Sequence, residues 1–357
     1  MARLRDVDAC PGALTLHRAA DGLLARIRLP GGMITAPQLA ALARAAAEFG
    51  SPVVELTSRG NIQIRGITDE APVADAVAAA GLLPSATHEK VRNIVASPLS
   101  GRVGAHPDIR GLVGELDGAI QAEKSLAELS GRCWFGIDDG RGDVSGLAAD
   151  VGVHLDGESA ALLLAGRDTG VRVPRADTVP TMIGVAQRFA AMRGKAWRVS
   201  ELADATPLLT GLDVSAEPGA TWPPVTRPPV GWLTQTDGRV ALGAGVPLGV
   251  LHADVAQWLA SLAAPMVITP WRSVLVCDLD RTITLPDSLG LVFDGASPWL
   301  SVSACTGSPG CEHSAADVRA QAARDVEHGI TGGHRHYVGC ERACGSRPGD
   351  DVRKVSG

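Results

Sequence analysis

Aromatic residues are scarce: they make up 3% of the chain, and it holds one tyrosine. A core built almost without them must be packed from Ala, Val, Leu and Ile. Positive charge is not in surplus either. The formal net charge of -6 disfavours a general role on nucleic acid or on an anionic membrane surface, although basic residues can still gather in one pocket. No apolar run is long enough to span a bilayer. The opening residues, MARLRDVDACPGALTLHRAADG, contain no continuous apolar stretch of signal-peptide length. The expected location is therefore cytoplasmic, a compartment that works against structural disulfides. An odd count of seven cysteines also argues against a closed disulfide frame. No G-x-G-x-x-G fingerprint is present, because GAGVPLG places its last glycine one residue too far.

What is present is an ordinary globular composition, 45% hydrophobic and 20% charged, in a chain of 357 residues that implies two or more domains. GALTLHRA and LLARIRLP alternate apolar and polar residues around ADG, which predicts a hairpin. In TAPQLAALARAAAEFG, Thr35 is placed to cap a helix with Pro37 in its first turn. Its apolar stripe is Leu39, Leu42, Ala46 and Phe49, and Gly50 is the stop. PVVELTS and NIQIRGI follow as strands and EAPVADAVAAAG as a second helix, so the order β-β-α-β-β-α predicts a small sheet with helices on one face.

The same plan returns over residues 227–279. There is a hairpin around TDG, then GVPLG, a helix from about Asp254 to Leu262, and a strand pair around Trp271 and Arg272. Pro30-Gly31-Gly32 aligns with Pro247-Leu248-Gly249, and Thr57-Ser58-Arg59 with Thr269-Pro270-Trp271. This is a two-copy internal repeat. Between the copies, GIDDGRGDVSG reads as a turn-rich connection, DVGVHLDGESAALLLAG as a hairpin and TVPTMIGVAQRFAAMRG as an amphipathic helix. SAEPGATWPPVTRPP reads as a Pro-rich linker. Further on, SAADVRAQAARDVEHG reads as a helix begun by Ser314 and ended by Gly329.

Four cysteines are grouped late in the chain, in ACTGSPGC and GCERAC. The pattern is C-x5-C, then 28 residues, then C-x3-C. Zinc sites usually bring their thiolates in tighter C-x2-4-C knuckles. Iron–sulfur cubanes take four thiolates and tolerate wider spacing. Gly307, Gly310 and Gly339 would let backbone approach a bulky group without a Cβ clash. The cluster reading leads, with zinc and unligated thiols still open. Cys133 and Cys277 sit in apolar strands and read as core thiols, and Cys10 reads as inert.

RLPGGMIT, ELTSRGNIQIRGI, VRNIVASPLSG, ACTGSPGC and GCERAC occur in the order found in the nitrite/sulfite reductase superfamily. The chain resembles that superfamily over nearly its whole length. The resemblance implies an α+β fold: two ferredoxin-like half-domains in a pseudo-twofold repeat, with two reductase-type iron–sulfur α/β domains. The expected divisions are a first half-domain at 1–85, a first reductase-type domain at 86–215 and a linker at 216–226. A second half-domain at 227–292 and a cluster-binding domain at 293–357 follow. The resemblance further implies a [4Fe–4S] cluster on Cys305, Cys311, Cys340 and Cys344. Within the superfamily the chain is most similar to the branch that hydroxylates precorrin-3A in aerobic cobalamin biosynthesis. That branch uses O2, closes a γ-lactone and draws electrons ultimately from NADH. With no Rossmann fingerprint, a separate reductase or ferredoxin is the expected donor.

A precorrin is fringed with carboxylates, and guanidinium groups bind carboxylates through paired hydrogen bonds at any working pH. Arg28, Arg59, Arg92 and Arg132 match positions where relatives place basic residues, and they are the expected substrate-binding set. Where the reductases carry two lysines two apart, this chain has Arg132 and Trp134, a departure that favours the hydroxylase. Arg65 reads as a solvated strand residue, and Asn61 and Gln63 share one strand face. Oxygen insertion would call for a second, non-haem iron with His and carboxylate ligands. His313, His334, His336, Asp317 and Glu341 are candidates, but they form no recognised triad, and His334 and His336 should share a face. The alternatives are a siroheme-dependent sulfite or nitrite reductase and a non-catalytic metal- or tetrapyrrole-binding protein.

Overall fold

The computed structural model describes residues 8–357; the sequence readings that involve residues 1–7 lie outside them. The chain forms two compact units, one of residues 8–11 with 85–225 and one of residues 12–84 with 226–357. The latter unit opens with the expected hairpin, β1 (His17–Ala19) and β2 (Gly22–Ile27), closed by the pair Ala19 and Gly22. A 3-10 turn at Pro30–Gly32 leads to the two-residue strand β3 (Met33–Ile34). Helix α1 (Ala36–Phe49) is capped as expected: Thr35 Oγ1 accepts from the Gln38 N–H, and the Gln38 side chain accepts from the Thr35 N–H. This is a capping box. Leu39, Leu42, Ala43 and Ala46 recur at helical spacing and are fully buried. The helix ends at Gly50, whose backbone is extended, and glycine is needed there because a Cβ would stand 2.7 Å from the Arg65 carbonyl oxygen. Strands β4 (Val53–Leu56) and β5 (Ile62–Ile67) and helix α2 (Glu70–Ala79) complete this half.

The chain then builds the other unit. Its elements are β6 (Ile94–Ala96), α3 (Arg110–Ala122), β7 (Phe135–Asp138), β8 (Val151–Asp156), β9 (Ser159–Leu164), β10 (Arg167–Pro174) and α4 (Thr178–Met192). The sheet order is β10-β9-β8-β7-β6, parallel from β6 to β8 and antiparallel beyond. Phe135, Leu116 and Phe189 are fully buried between sheet and helices. Part of the Pro-rich stretch lies along β10: the Asp168 N–H donates to the Ala220 carbonyl and the Gly219 N–H to that of Asp168.

The second copy of the repeat follows with β11 (Gly231–Thr234), β12 (Val240–Gly245), β13 (Val250–His252), α5 (Ala253–Ser261), β14 (Met266–Ile268) and β15 (Ser273–Leu279). The two sheets run β1-β2-β5-β4-β13 and β11-β12-β15-β14-β3. Each half thus donates its short strand to the edge of the other. β3 pairs with β14 and β13 with β4, both antiparallel. The turns before these strands match: the central residue is left-handed in both, with φ 63 at Gly31 and 54 at Leu248. A Cβ on Gly32 would lie 2.0 Å from the Ile268 carbonyl oxygen, and one on Gly249 would lie 2.9 Å from that of Leu56. Helices α1 and α5 pack together over a shared core of Leu39, Leu42, Ile64, Leu259 and Val274.

Last come β16 (Val302–Ala304), α6 (Val318–Glu327), β17 (Arg335–Val338) and β18 (Asp351–Lys354), with the three strands in one parallel sheet. The helix expected to start at Ser314 starts four residues later. Asp317 caps it by accepting from the Ala320 N–H, while the Ser314 hydroxyl donates to the Ala316 carbonyl. Among the described residues, no helix is long and apolar enough to cross a membrane.

Replacing Gly32 by Ala should test the strand exchange. The clash and the positive φ together should lower stability by ~3 kcal/mol or more. Gly81→Ala has a similar φ of 69 but open space around it, and should cost about 1 kcal/mol. Urea unfolding of the two variants checks the difference; equal midpoints would refute the role given to the exchange.

Candidate metal centre

Cys305 directly follows β16, and its N–H donates to the Tyr337 carbonyl on β17 at 2.9 Å. The two strands are parallel, so Cys305 and Cys340 leave the same end of the small sheet. Cys311 lies in the loop between β16 and α6, in a turn where the Ser314 N–H donates to the Cys311 carbonyl. Gly339 joins this loop to the next: a Cβ there would fall 1.8 Å from Ser314 Oγ. The glycines of these loops are thus required by packing of loop on loop. Gly310 meets Thr306, and Gly307 meets Val318.

The two cysteine loops are tied down from outside. Arg65 donates through Nη2 to the Gly310 carbonyl at 2.7 Å and pairs in bidentate fashion with Asp21. It is 7% exposed; the solvated position expected for it is incorrect, because its strand face is covered by the Cys311 loop. Across the same sheet face, Arg26 donates to Gln63, Gln63 to Glu55, and Arg319 of α6 pairs with Glu55. Gln63 therefore belongs to a polar ladder. The Cys340–Cys344 turn is held from the other side. His336 Nε2 donates to the Cys344 carbonyl at 3.0 Å, and Arg272 Nη2 to the Gly345 carbonyl at 2.8 Å.

None of the seven cysteines forms a disulfide. Cys133 and Cys277 are buried, at 2% and 0% exposure. Cys305, Cys311 and Cys340 are half-buried and Cys344 is exposed. Among the described residues, Asp138, Asp139 and Asp143 bring three ligand atoms within 4.8 Å of one another. The four late thiols are soft donors on loops at one end of a parallel pair, a donor set of the kind that holds zinc or an iron–sulfur cluster.

His334 and His336 do share a face: Ser303 Oγ lies 2.9 Å from Nε2 of the first and 2.8 Å from Nδ1 of the second. Arg347 Nη2 donates to His334 Nε2 at 3.1 Å. Burial, reinforced by Arg347 and Arg272, pulls His334 down to about 3. The five candidate iron ligands are not brought together. Asp317 caps α6, Glu341 pairs with Lys354, His313 pairs with Glu312, and the two buried histidines serve Ser303 and the Cys344 loop.

The four arginines expected at the substrate divide. Arg28 follows β2 and is buried, and Arg59 is half-buried in the turn between β4 and β5. The Leu29 N–H donates to Asn61 Oδ1 at 2.9 Å and draws these two segments side by side. In the other unit, Arg132 is exposed and its guanidinium lies 4.8 Å from the centroid of the Trp197 ring. Arg92, also in this unit, is buried and donates through Nε and Nη2 to Asp117 of α3 at 2.7 and 2.8 Å. Sequence reading also missed Asp138, which accepts from the N–H groups of Gly140, Gly142, Val144 and Ser145 and so organises GIDDGRGDVSG. Burial and the charge of Asp138 push the nearby Asp143 up to about 7.

The half-sheet sequence and the fold agree on a class. Residues 16–79 match the family model described as the nitrite/sulfite reductase ferredoxin-like half domain. The structure resembles that of the Mycobacterium tuberculosis NirA protein, with a TM-score of 0.74 and 19% identity over 90% of this chain and 69% of that one. The fold is thus α+β, of the nitrite/sulfite reductase type. At the level of particular proteins, the chain is 28% identical to a precorrin-3B synthase of Sinorhizobium sp, over 95% of this chain and 78% of that protein. It is 31% identical to a ferredoxin–nitrite reductase of Synechococcus elongatus, over 33% of this chain and 25% of that protein.

His334 also sets a pH dependence. Burial and the neighbouring guanidiniums hold its folded value at about 3, below the ordinary imidazole value of 6.5. Its contribution to stability is therefore whole above pH 6.5 and is lost as pH falls towards the folded value. Between pH 7 and 4.5 that loss should be about 2 kcal/mol. Urea midpoints of His334→Asn should fall less over this interval than those of the unmodified protein. Parallel curves would show that His334 does not carry the effect.

Proposed function

We propose that the protein is a precorrin-3B synthase, an iron–sulfur monooxygenase acting on precorrin-3A. The observation that carries this reading is extent. Similarity to the precorrin-3B synthase runs through 95% of the chain, whereas that to the nitrite reductase covers 33%. Cys305, Cys311, Cys340 and Cys344 would hold a [4Fe–4S] cluster, which supplies single-electron transfer when bound. Arg28, just after β2, and Arg59, in the turn between β4 and β5, would take carboxylates of the macrocycle by paired hydrogen bonds. Arg92, and Arg132 over the Trp197 ring, are offered as further carboxylate partners in their own unit. One atom of O2 goes to a bridge carbon of the ring and the other leaves as water, with two electrons from NADH delivered through a separate reductase or ferredoxin. An acetate arm closes the γ-lactone. The cytoplasm is the proposed location.

Anaerobic purification with a visible spectrum, iron and acid-labile sulfide measured on one sample tests the cofactor. About four sulfides per chain and no haem band are expected for a single cubane. A siroheme band would move the assignment to a sulfite or nitrite reductase. Turnover of precorrin-3A should then require O2. Cys305→Ser should lose iron and sulfide while far-UV circular dichroism is kept. Arg59→Ala should weaken precorrin-3A binding at least tenfold, the loss of about 1.4 kcal/mol expected for a charged hydrogen bond, with little change in Tm. Unchanged binding in a folded Arg59→Ala would remove it from the site.

A further inference from the structure

The two copies of the repeat differ at one position in a way that packing alone does not explain. The turn Thr57–Gly60 and the turn Thr269–Arg272 share their backbone. The Thr57 N–H donates to the Asn61 carbonyl and the Thr269 N–H to that of Ser273, each at 2.9 Å. The Gly60 N–H donates to the Thr57 carbonyl and the Arg272 N–H to that of Thr269, each at 3.2 Å. The fourth residue is left-handed in both, with φ 67 at Gly60 and 56 at Arg272. A residue with a Cβ is disfavoured there by roughly 1–2 kcal/mol. Arginine is the costlier choice again because its side chain is buried, at 6% exposure.

The surroundings do not neutralise it. The charged groups acting on Arg272 are Arg347, Asp350, Arg319 and Glu55. With Arg272 itself, that is three guanidiniums against two carboxylates. Desolvation and Arg347 lower Arg272 to about 9, which still leaves it protonated at pH 7. A buried surplus positive charge is unfavourable unless something anionic faces it. Arg272 reaches the Gly345 carbonyl, one residue beyond Cys344 and next to the carbonyl held by His336. A cubane held by four thiolates is an anion in both of its common redox states.

We propose that Arg272 is a positioning residue of the cluster site: it occupies a turn position that the first copy gives to glycine, fixes the Cys340–Cys344 segment, and raises the cluster's reduction potential with a buried positive charge. The proposal rests on the reading of the four thiols as a cluster site. A buried cation stabilises the more negative, reduced state over the oxidised one, so removing it must shift the potential to more negative values.

The test uses the anaerobically purified holoprotein, with iron and sulfide counted and the midpoint potential found by EPR-monitored titration. Arg272→Gly suits the left-handed turn and reproduces the first copy. It should stay folded, and the cluster it holds should titrate at a more negative potential. Arg272→Lys should return the potential most of the way to that of the unmodified protein. A fully loaded Arg272→Gly with an unshifted potential overturns the proposal and leaves the cluster reading intact. Should Arg272→Gly lose its cluster, retention in Arg272→Lys supports the charge, and loss from both with the fold intact overturns it. Absence of iron and sulfide from the unmodified protein overturns the cluster reading, and this proposal with it.

Discussion

Reciprocal exchange of two short strands is the constraint on which the larger unit is built. β3 has two residues and β13 has three, too few to hold a place in any sheet by their own hydrogen bonds. They are held because each arrives through a turn whose glycine lies against a carbonyl of the opposite half. Each sheet thereby ends in a strand from the other copy, which covers an edge that would otherwise be open. The shared core between α1 and α5 then makes two sequence copies into one cooperative body.

The cysteine loops are mounted on that body rather than on their own small sheet alone. Arg65 and Glu55 belong to the first half-sheet and grip the Cys311 loop and α6. Arg272 belongs to the second and grips the Cys344 turn. Arg347 donates back to the Pro270 carbonyl at 3.3 Å, beside the same turn. Long, planar donors suit this task because one guanidinium satisfies a carboxylate and a backbone carbonyl together.

Much of the fold was legible because periodicity and caps act locally. Thr35 with Gln38, the ADG and DGES turns, and the apolar stripe of α1 were all readable from spacing. So was the repeat, because Pro30–Gly32 and Pro247–Gly249 carry the same turn chemistry. The exchange was not, since a two-residue strand has no period to detect and its partner lies more than 200 residues away. Ser314 looked like a helix cap, but the Asp317 carboxylate accepts the first-turn N–H of Ala320, while the Ser314 hydroxyl turns to the Ala316 carbonyl. The thiols were legible as a group from their polar Gly-rich loops. Arginine roles were the least legible. The same residue type serves an ion pair at Arg92, a loop clamp at Arg65 and a ring stack at Arg132, and only the partner decides which.

The way the chain threads the two units has a bearing on its synthesis. It starts in the other unit with residues 8–11, enters the larger one at Gly12 and leaves it at Pro84, builds most of the other over residues 85–225, and returns at Thr226. On the ribosome, the inserted unit can therefore close as soon as it emerges, while the first half-sheet waits without its edge strand until residue 252 is made. Domains fold as units in the order of synthesis where they can; here the earliest segment must be among the last to settle. All four late thiols are translated after both half-sheets, so the residues that hold their loops, Glu55, Arg65 and Arg272, are made before them.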